Sequence, residues 1–76
     1  MDKQEFIKNF GNQFDDTDTS VFTMETRFRD EEEWSSLVAL AVLNIIAKKY
    51  EVKLNADEMK KTQTIQELYD LVLSKK

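Results

Sequence analysis

The chain contains no proline and a single glycine, Gly11, in 76 residues. Tight hairpin turns depend on glycine for backbone conformations with positive φ, and proline and glycine mark most loops of sheet proteins. This sequence therefore has almost none of the turn residues that a β-sandwich or β-barrel needs. We predict an all-α fold in which residues 1–76 form one domain, because two independent cores would each be too small to fold unaided.

The composition also limits the chemistry that the chain can perform. It has no cysteine and no histidine, so disulfides, thiolate metal sites, the commonest general base and the commonest metal ligand are all absent. Serine hydroxyls are weak nucleophiles without a neighbouring base to take the proton. We predict that the protein is not an enzyme.

Charge and hydropathy exclude two classes of partner. The net charge is −4, and residues 15–33 carry eight acidic and two basic side chains, the wrong sign for binding nucleic acid or anionic lipid. The longest apolar run, residues 37–43, is far shorter than the roughly 20 residues of a membrane span, and the first residues lack the apolar stretch of a secretory signal. We expect a cytoplasmic monomer that neither binds nucleic acid nor inserts into a membrane.

The first half of the chain predicts one helix and a long loop. Four apolar residues repeat at helical spacing, Phe6, Ile7, Phe10 and Phe14, and the polar segment 15–20 that follows is expected to end the helix. Residues 15–35 show no sustained periodicity. We predict that their scattered apolar side chains pin this loop to the bundle: Val21, Phe22, Met24, Phe28 and Trp34.

The second half predicts three more helices. Residues 37–50 are apolar nearly all round, and residues 55–61 form a short helix that opens with Asn55 and Glu58 in a spacing related to the capping box. Thr64 and Glu67 form a full capping box before a final amphipathic helix that ends in lysines. The fold class is therefore a small bundle of three main helices plus one short helix, with a long loop between helix one and helix two.

Two acidic segments are candidates for ion or partner binding. Asp16-x-Asp18-x-Ser20 has the alternating spacing of a calcium loop, but Val21 stands where that loop needs glycine and Arg27 where it needs a bidentate glutamate. We therefore predict no metal site. The acidic run at residues 30–33 is either a docking surface for a basic partner or a solvated segment, and both interpretations stay open.

Ser35 and Ser36 stand at the junction between the acidic loop and the apolar helix. Serine is a preferred N-cap because its oxygen accepts a free backbone N–H of the first turn. A helix N-terminus also stabilises an attached phosphate through its unpaired N–H groups and its dipole. Both properties are compatible if Ser35 caps the helix and Ser36 is exposed.

The whole chain resembles the acyl carrier protein family, the phosphopantetheine-binding domains. The resemblance covers helix order, length and four segments: Thr26-Arg27-Phe28, Trp34-Ser35-Ser36-Leu37, Tyr50-Glu51-Val52 and the final helix from Thr64 to Leu68. It implies that Ser36 receives 4′-phosphopantetheine from coenzyme A. The chain departs from the family at Ser35, where aspartate is usual, at residues 31–33, where many members have leucine and glycine, and in helix two, which lacks the usual acidic residues.

The resemblance implies a carrier for fatty-acid, polyketide or related biosynthesis. Its arm would end in a thiol that holds acyl groups as thioesters, and its partners would be a phosphopantetheinyl transferase and enzymes that load and transfer acyl groups. An unmodified, carrier-like protein-binding module and a carrier for amino acids or peptides stay open as alternatives. We expect any acyl cavity near Leu40, Leu43 and Ile46, within a core that is well packed in the apo form.

Partner enzymes are expected to contact an apolar strip on helix two. We place Val38, Ala41 and Ile45 in this strip, with the acidic residues 30–33 steering the encounter, because a helix that is apolar all round must be buried or meet a partner. In the other interpretation, the extra apolar surface packs under the loop through Trp34 and Phe28.

Overall fold

The computed structural model describes all residues from Met1 to Lys76. It contains four α-helices and two short 3₁₀ turns, and no strand. The α-helices are α1 (Lys3–Gly11), α2 (Ser36–Tyr50), α3 (Ala56–Met59) and α4 (Ile65–Lys75), and the 3₁₀ turns are Thr19–Val21 and Phe28–Asp30. The predicted all-α bundle of three main helices and one short helix is confirmed.

Helix α1 is shorter than the sequence pattern suggests. The Asp2 carboxylate caps it by accepting the N–H groups of Gln4 and Glu5, and the helix ends at Gly11 rather than at the polar segment 15–20. A Cβ at Gly11 would lie only 3.0 Å from Cβ of Thr19, so glycine permits the loop to approach the end of the helix. The tight turn that follows carries Phe14 outside the helix, although its side chain is still buried.

Helix α2 buries one side and exposes the other. Val38, Val42 and Ile46 face the core at a spacing of four residues. Leu37 is 80% exposed and Leu40 is 55% exposed. The apolar character of this helix all round therefore reflects one buried face and one apolar face that no other part of the chain covers.

Reciprocal capping boxes begin the last two helices. In α3, Asn55 and Glu58 each bond the other's backbone N–H, and Thr64 and Glu67 do the same in α4. The Glu58 carboxylate also pairs with Lys75 and so ties α3 to the end of α4. Both predicted caps are confirmed, and the Asn55 cap is a complete capping box.

The long loop is fixed to the bundle by hydrogen bonds and by burial. The carbonyl oxygens of Met24 and Thr26 accept the first N–H groups of α4, from Gln66 at 2.7 Å and from Ile65 at 3.1 Å. These bonds satisfy donors that a helix N-terminus otherwise leaves free. Among the loop side chains predicted to pack on the bundle, Phe22 and Phe28 are buried. Met24 and Trp34 are partly buried against the core. The prediction is wrong for Val21, which is 68% exposed.

A single cluster of 14 buried apolar residues forms the core. Helix α1 packs against both α2 and α4. The Tyr69 hydroxyl donates to the carbonyl oxygen of Met1 at 2.6 Å, and Asn9 donates to the Tyr50 hydroxyl at 3.0 Å. None of the helices combines the length and the apolar character needed to cross a membrane.

Candidate functional site

Ser36 is the first residue of α2, and its side chain is exposed. Ser35 is the N-cap, with extended backbone, and its hydroxyl oxygen accepts the N–H of Val38 at 3.3 Å. The Ser36 hydroxyl makes no hydrogen bond within the chain. The expected division of roles, in which Ser35 caps the helix and Ser36 faces solvent, is confirmed.

The N-terminus of α2 favours negative charge on the Ser36 side chain. The first N–H groups of the helix, on Ser36 and Leu37, have no carbonyl partner in the chain, because the residues before a helix start are not helical and offer no carbonyl at the required position. The helix dipole adds a positive potential at the same place. A phosphate ester on Ser36 would therefore be stabilised electrostatically.

The Glu33 carboxylate fixes the loop just before the two serines. It accepts four hydrogen bonds from the other end of the loop: from the N–H groups of Asp15 (2.6 Å), Asp16 (3.0 Å) and Thr17 (2.9 Å) and from the Thr17 hydroxyl (2.6 Å). The Thr17 hydroxyl, followed by the Asp15 N–H, lowers the pKa of Glu33 below its ordinary value. The Glu33 carboxylate therefore joins the two ends of the loop through hydrogen bonds and is not simply solvated.

An aromatic cluster supports the same part of the loop from below. The Trp34 ring lies 4.7 Å from Phe28 and stacks at 6.1 Å on Phe10 of α1, centroid to centroid. Phe14 and Phe22 complete the cluster, with ring centroids 5.3 Å apart. The residue before Ser35 is thus anchored in the core while the serines lie at the surface.

Arg29 joins the loop to the end of α3. Its Nε donates to the carbonyl oxygen of Thr62 at 2.8 Å, and its Nη2 donates to that of Met59. The guanidinium lies 5.4 Å from the ring centroid of Phe28 and 6.0 Å from that of Trp34. Neither this role of Arg29 nor that of Glu33 was predicted, because both depend on contacts between residues far apart in the sequence.

An open groove of about 550 Å³ lies beside Ser36, between α2, α3 and the loop. Its lining is mostly apolar and comprises Arg29, Trp34, Ser35, Ser36, Ala39, Leu40, Leu43, Ala56, Met59 and Lys60. Two of the three residues expected at a cavity, Leu40 and Leu43, line this groove. Ile46 does not, because it is buried in the core against α1.

The expected partner strip needs correction. Val38 is buried, so it cannot contact a partner, whereas Ala41 and Ile45 are partly exposed. Leu37 and Leu40 are the large apolar side chains that α2 presents to solvent. The face available to a partner is therefore rotated from Val38 toward Leu37 and Leu40.

The acidic residues of the loop do not converge on a common point. No group of three or more carboxylates in the chain is placed to hold a metal ion. Asp30 pairs with Arg27 at 3.5 Å, Glu32 is exposed, and Glu33 is occupied by its hydrogen bonds.

Comparisons of this chain with protein families, curated proteins and solved structures found no match.

Proposed function

We propose that this chain is an acyl carrier protein, which holds acyl groups as thioesters on a 4′-phosphopantetheine arm attached to Ser36. The observation that carries this proposal is the Ser36 hydroxyl, exposed and unbonded at the first residue of an apolar helix that Ser35 already caps. A hydroxyl with no structural role is free to be esterified without cost to the fold.

Attachment would be carried out by a separate transferase. The Ser36 Oγ bonds to the phosphorus that bears the pantetheine group, the pyrophosphate bond of coenzyme A breaks, and adenosine 3′,5′-bisphosphate leaves. The hydroxyl proton goes to a base of the transferase, since this chain has no histidine to accept it. The free N–H groups at the start of α2 would stabilise the negative charge of the phosphodiester.

The attached group would supply a thiol on a flexible arm, which the chain itself lacks because it has no cysteine. The groove beside Ser36 offers apolar walls to an acyl chain carried on that thiol, through Leu40, Leu43 and Met59. Each methylene taken from water contributes about 0.8 kcal/mol. An acyl group of moderate length would thereby be partly protected from solvent.

Partner enzymes would approach the face that carries Ser36, Leu37 and Leu40. These partners are a phosphopantetheinyl transferase and enzymes that load and transfer acyl groups. Glu32 is exposed on the preceding loop and belongs to no ion pair, so it gives this approach a negative potential. In this proposal the protein works as a monomer in the cytoplasm.

The test is modification of the purified apo protein by a promiscuous phosphopantetheinyl transferase in the presence of coenzyme A. Intact mass spectrometry should show the gain of one phosphopantetheine group. Ser36→Ala should abolish the gain, whereas the matched variant Ser35→Ala should still be modified. Circular dichroism of both variants would establish that they are folded under the assay conditions.

Two results would contradict the proposal. If neither the wild type nor a Ser35→Asp variant gains mass while a known carrier does so in the same assay, the unmodified protein-binding module is favoured. If Ser36→Ala is modified as well as the wild type, the attachment site is elsewhere.

A further inference from the structure

Two cations that line the groove have no carboxylate partner in the chain. The ion pairs of the structure are Arg27 with Asp30 and Lys75 with Glu58, and neither Arg29 nor Lys60 belongs to them. Most of the eleven basic side chains are likewise outside an ion pair, so what sets these two apart is their place in the groove. Arg29 and Lys60 both line the same groove beside Ser36.

Arg29 is held in place before any ligand arrives. Its Nε and Nη2 donate to backbone carbonyl oxygens at the end of α3, and its guanidinium lies against two aromatic rings. These contacts leave the Nη1 donors unused. An arginine whose orientation is fixed loses little side-chain entropy when it binds an anion.

The rest of the groove suits an aliphatic chain. Its walls include Ala39, Leu40, Leu43 and Met59, and its volume of about 550 Å³ lies within the range of about 300 to 1,000 Å³ that is typical of small-molecule sites. Such sites combine mostly apolar walls with a few polar groups that fix orientation. Here the polar groups with net charge are both cationic.

We propose that this groove binds an aliphatic chain that ends in a carboxylate, with the chain on the apolar walls and the carboxylate near Arg29 and Lys60. The corresponding cargo is a dicarboxylic acid, of which one carboxyl forms the thioester and the other stays anionic. This inference about cargo rests on the proposed function, but binding to the groove does not require attachment to Ser36.

The apo protein can therefore be tested with a soluble probe. Monomethyl suberate carries one carboxylate on a short aliphatic chain, and dimethyl suberate is its neutral counterpart. Trp34, which lines the groove, reports binding by fluorescence, and amide chemical shifts locate it. We expect the half-ester to shift the amides of Leu40, Leu43 and Met59 and to bind more tightly than the diester.

Adjacent lysines provide a matched pair of variants. Lys60 and Lys61 are both exposed, but only Lys60 lines the groove. Lys60→Met should weaken half-ester binding about two- to fivefold, the loss expected for an exposed ion pair, and should leave diester binding unchanged. Lys61→Met makes the same change in net charge and should leave both affinities unchanged.

Several outcomes would overturn the inference. The first two are equal affinities for the diester and the half-ester, and equal losses of half-ester affinity in the two lysine variants. The others are amide shifts confined to residues outside the groove, and competition by inorganic phosphate at the concentration of the half-ester. The last result would assign the cations to phosphate rather than to a carboxylate.

Failure of the carrier proposal would be visible separately. If Ser36 accepts phosphopantetheine but the half-ester shows no preference, the carrier stands and the cargo inference falls. If the half-ester binds as expected but Ser36 is never modified, the groove is a ligand site in a protein that is not a carrier.

Discussion

Glu33 and Thr17 join the two ends of the long loop, since both the backbone N–H and the hydroxyl of Thr17 donate to the same carboxylate oxygen, at 2.9 and 2.6 Å. The N–H groups of Asp15 and Asp16 complete the set of donors. Thr17 and Glu33 are sixteen residues apart in sequence, so these bonds close the loop that precedes Ser35. Glu33, two residues before Ser35, is therefore held against the segment that follows α1.

We expect Glu33→Gln to destabilise the fold in a pH-dependent way. The pKa of Glu33 is lowered from its ordinary value of 4.5, so its stabilising contribution is present above 4.5 and is lost as the pH falls through the lower, folded-state value. Urea denaturation should show a lower midpoint for Glu33→Gln at pH 7. The difference from wild type should narrow as the pH falls well below 4.5.

Glu32→Gln is the control for this prediction, because Glu32 is exposed and makes no hydrogen bond while the change in net charge is the same. It should leave the midpoint nearly unchanged. Equal effects of the two substitutions on the urea midpoint would show that the Glu33 carboxylate does not hold the loop closed. A lower midpoint for Glu33→Gln that persists undiminished in acid would show the same.

Ser35→Ala should lower the free energy of unfolding by about 1 kcal/mol, the usual cost of losing a helix N-cap. The Ser35 oxygen accepts the Val38 N–H in the native structure, and Ser35→Asp should preserve this bond. Ser36→Ala should cost much less, since its hydroxyl has no partner. A larger cost for Ser36→Ala than for Ser35→Ala in chemical denaturation would reverse the assigned roles.

Leu37 and Val38 are neighbours with opposite environments, and we expect their alanine variants to differ accordingly. Val38→Ala should reduce stability by about 1.5 kcal/mol because two buried methyl groups are lost. Leu37→Ala should change stability by less than about 0.5 kcal/mol but should slow phosphopantetheine transfer to Ser36. Mass spectrometry of reaction samples quenched at successive times measures the transfer rate. An unchanged rate for Leu37→Ala would show that the transferase does not dock on this face.

Glu51→Gly should stabilise the protein by about 1 kcal/mol. Glu51 follows the last residue of α2 with a left-handed backbone, φ 57° and ψ 34°, which glycine adopts without steric cost. Glu51→Ala is the control, because it removes the same charge but keeps Cβ. Thermal unfolding should place Glu51→Gly above both the wild type and Glu51→Ala, and a ranking with alanine highest would contradict the backbone explanation.

Local sequence signals predicted the elements of this fold well where a helix carries its own cap. Thr64 and Glu67, Asn55 and Glu58, and Ser35 all cap helices that the sequence predicted. The end of α1 was placed too late because Phe14 continues the apolar spacing of the helix, although it lies in the turn after Gly11 and is buried there.

The inner face of α2 could not be predicted for a related reason. A helix that is apolar all round gives no contrast between its faces, so Val38, which is buried, was wrongly placed on the exposed strip, and Leu37, which is exposed, was left out of it. The location of Ser36 was predictable because the cap at Ser35 fixes the start of the helix. The cationic lining of the groove was not, since Arg29 and Lys60 meet there from distant segments.

Peptide fragmentation mass spectrometry of the wild-type protein, after incubation with coenzyme A and a phosphopantetheinyl transferase, identifies the residue that carries the added group. We expect the whole of the added mass on Ser36 and none on Ser35. A group found on Ser35, or a chain that stays unmodified while a control carrier is fully converted, would show that Ser36 is not the attachment site of a carrier.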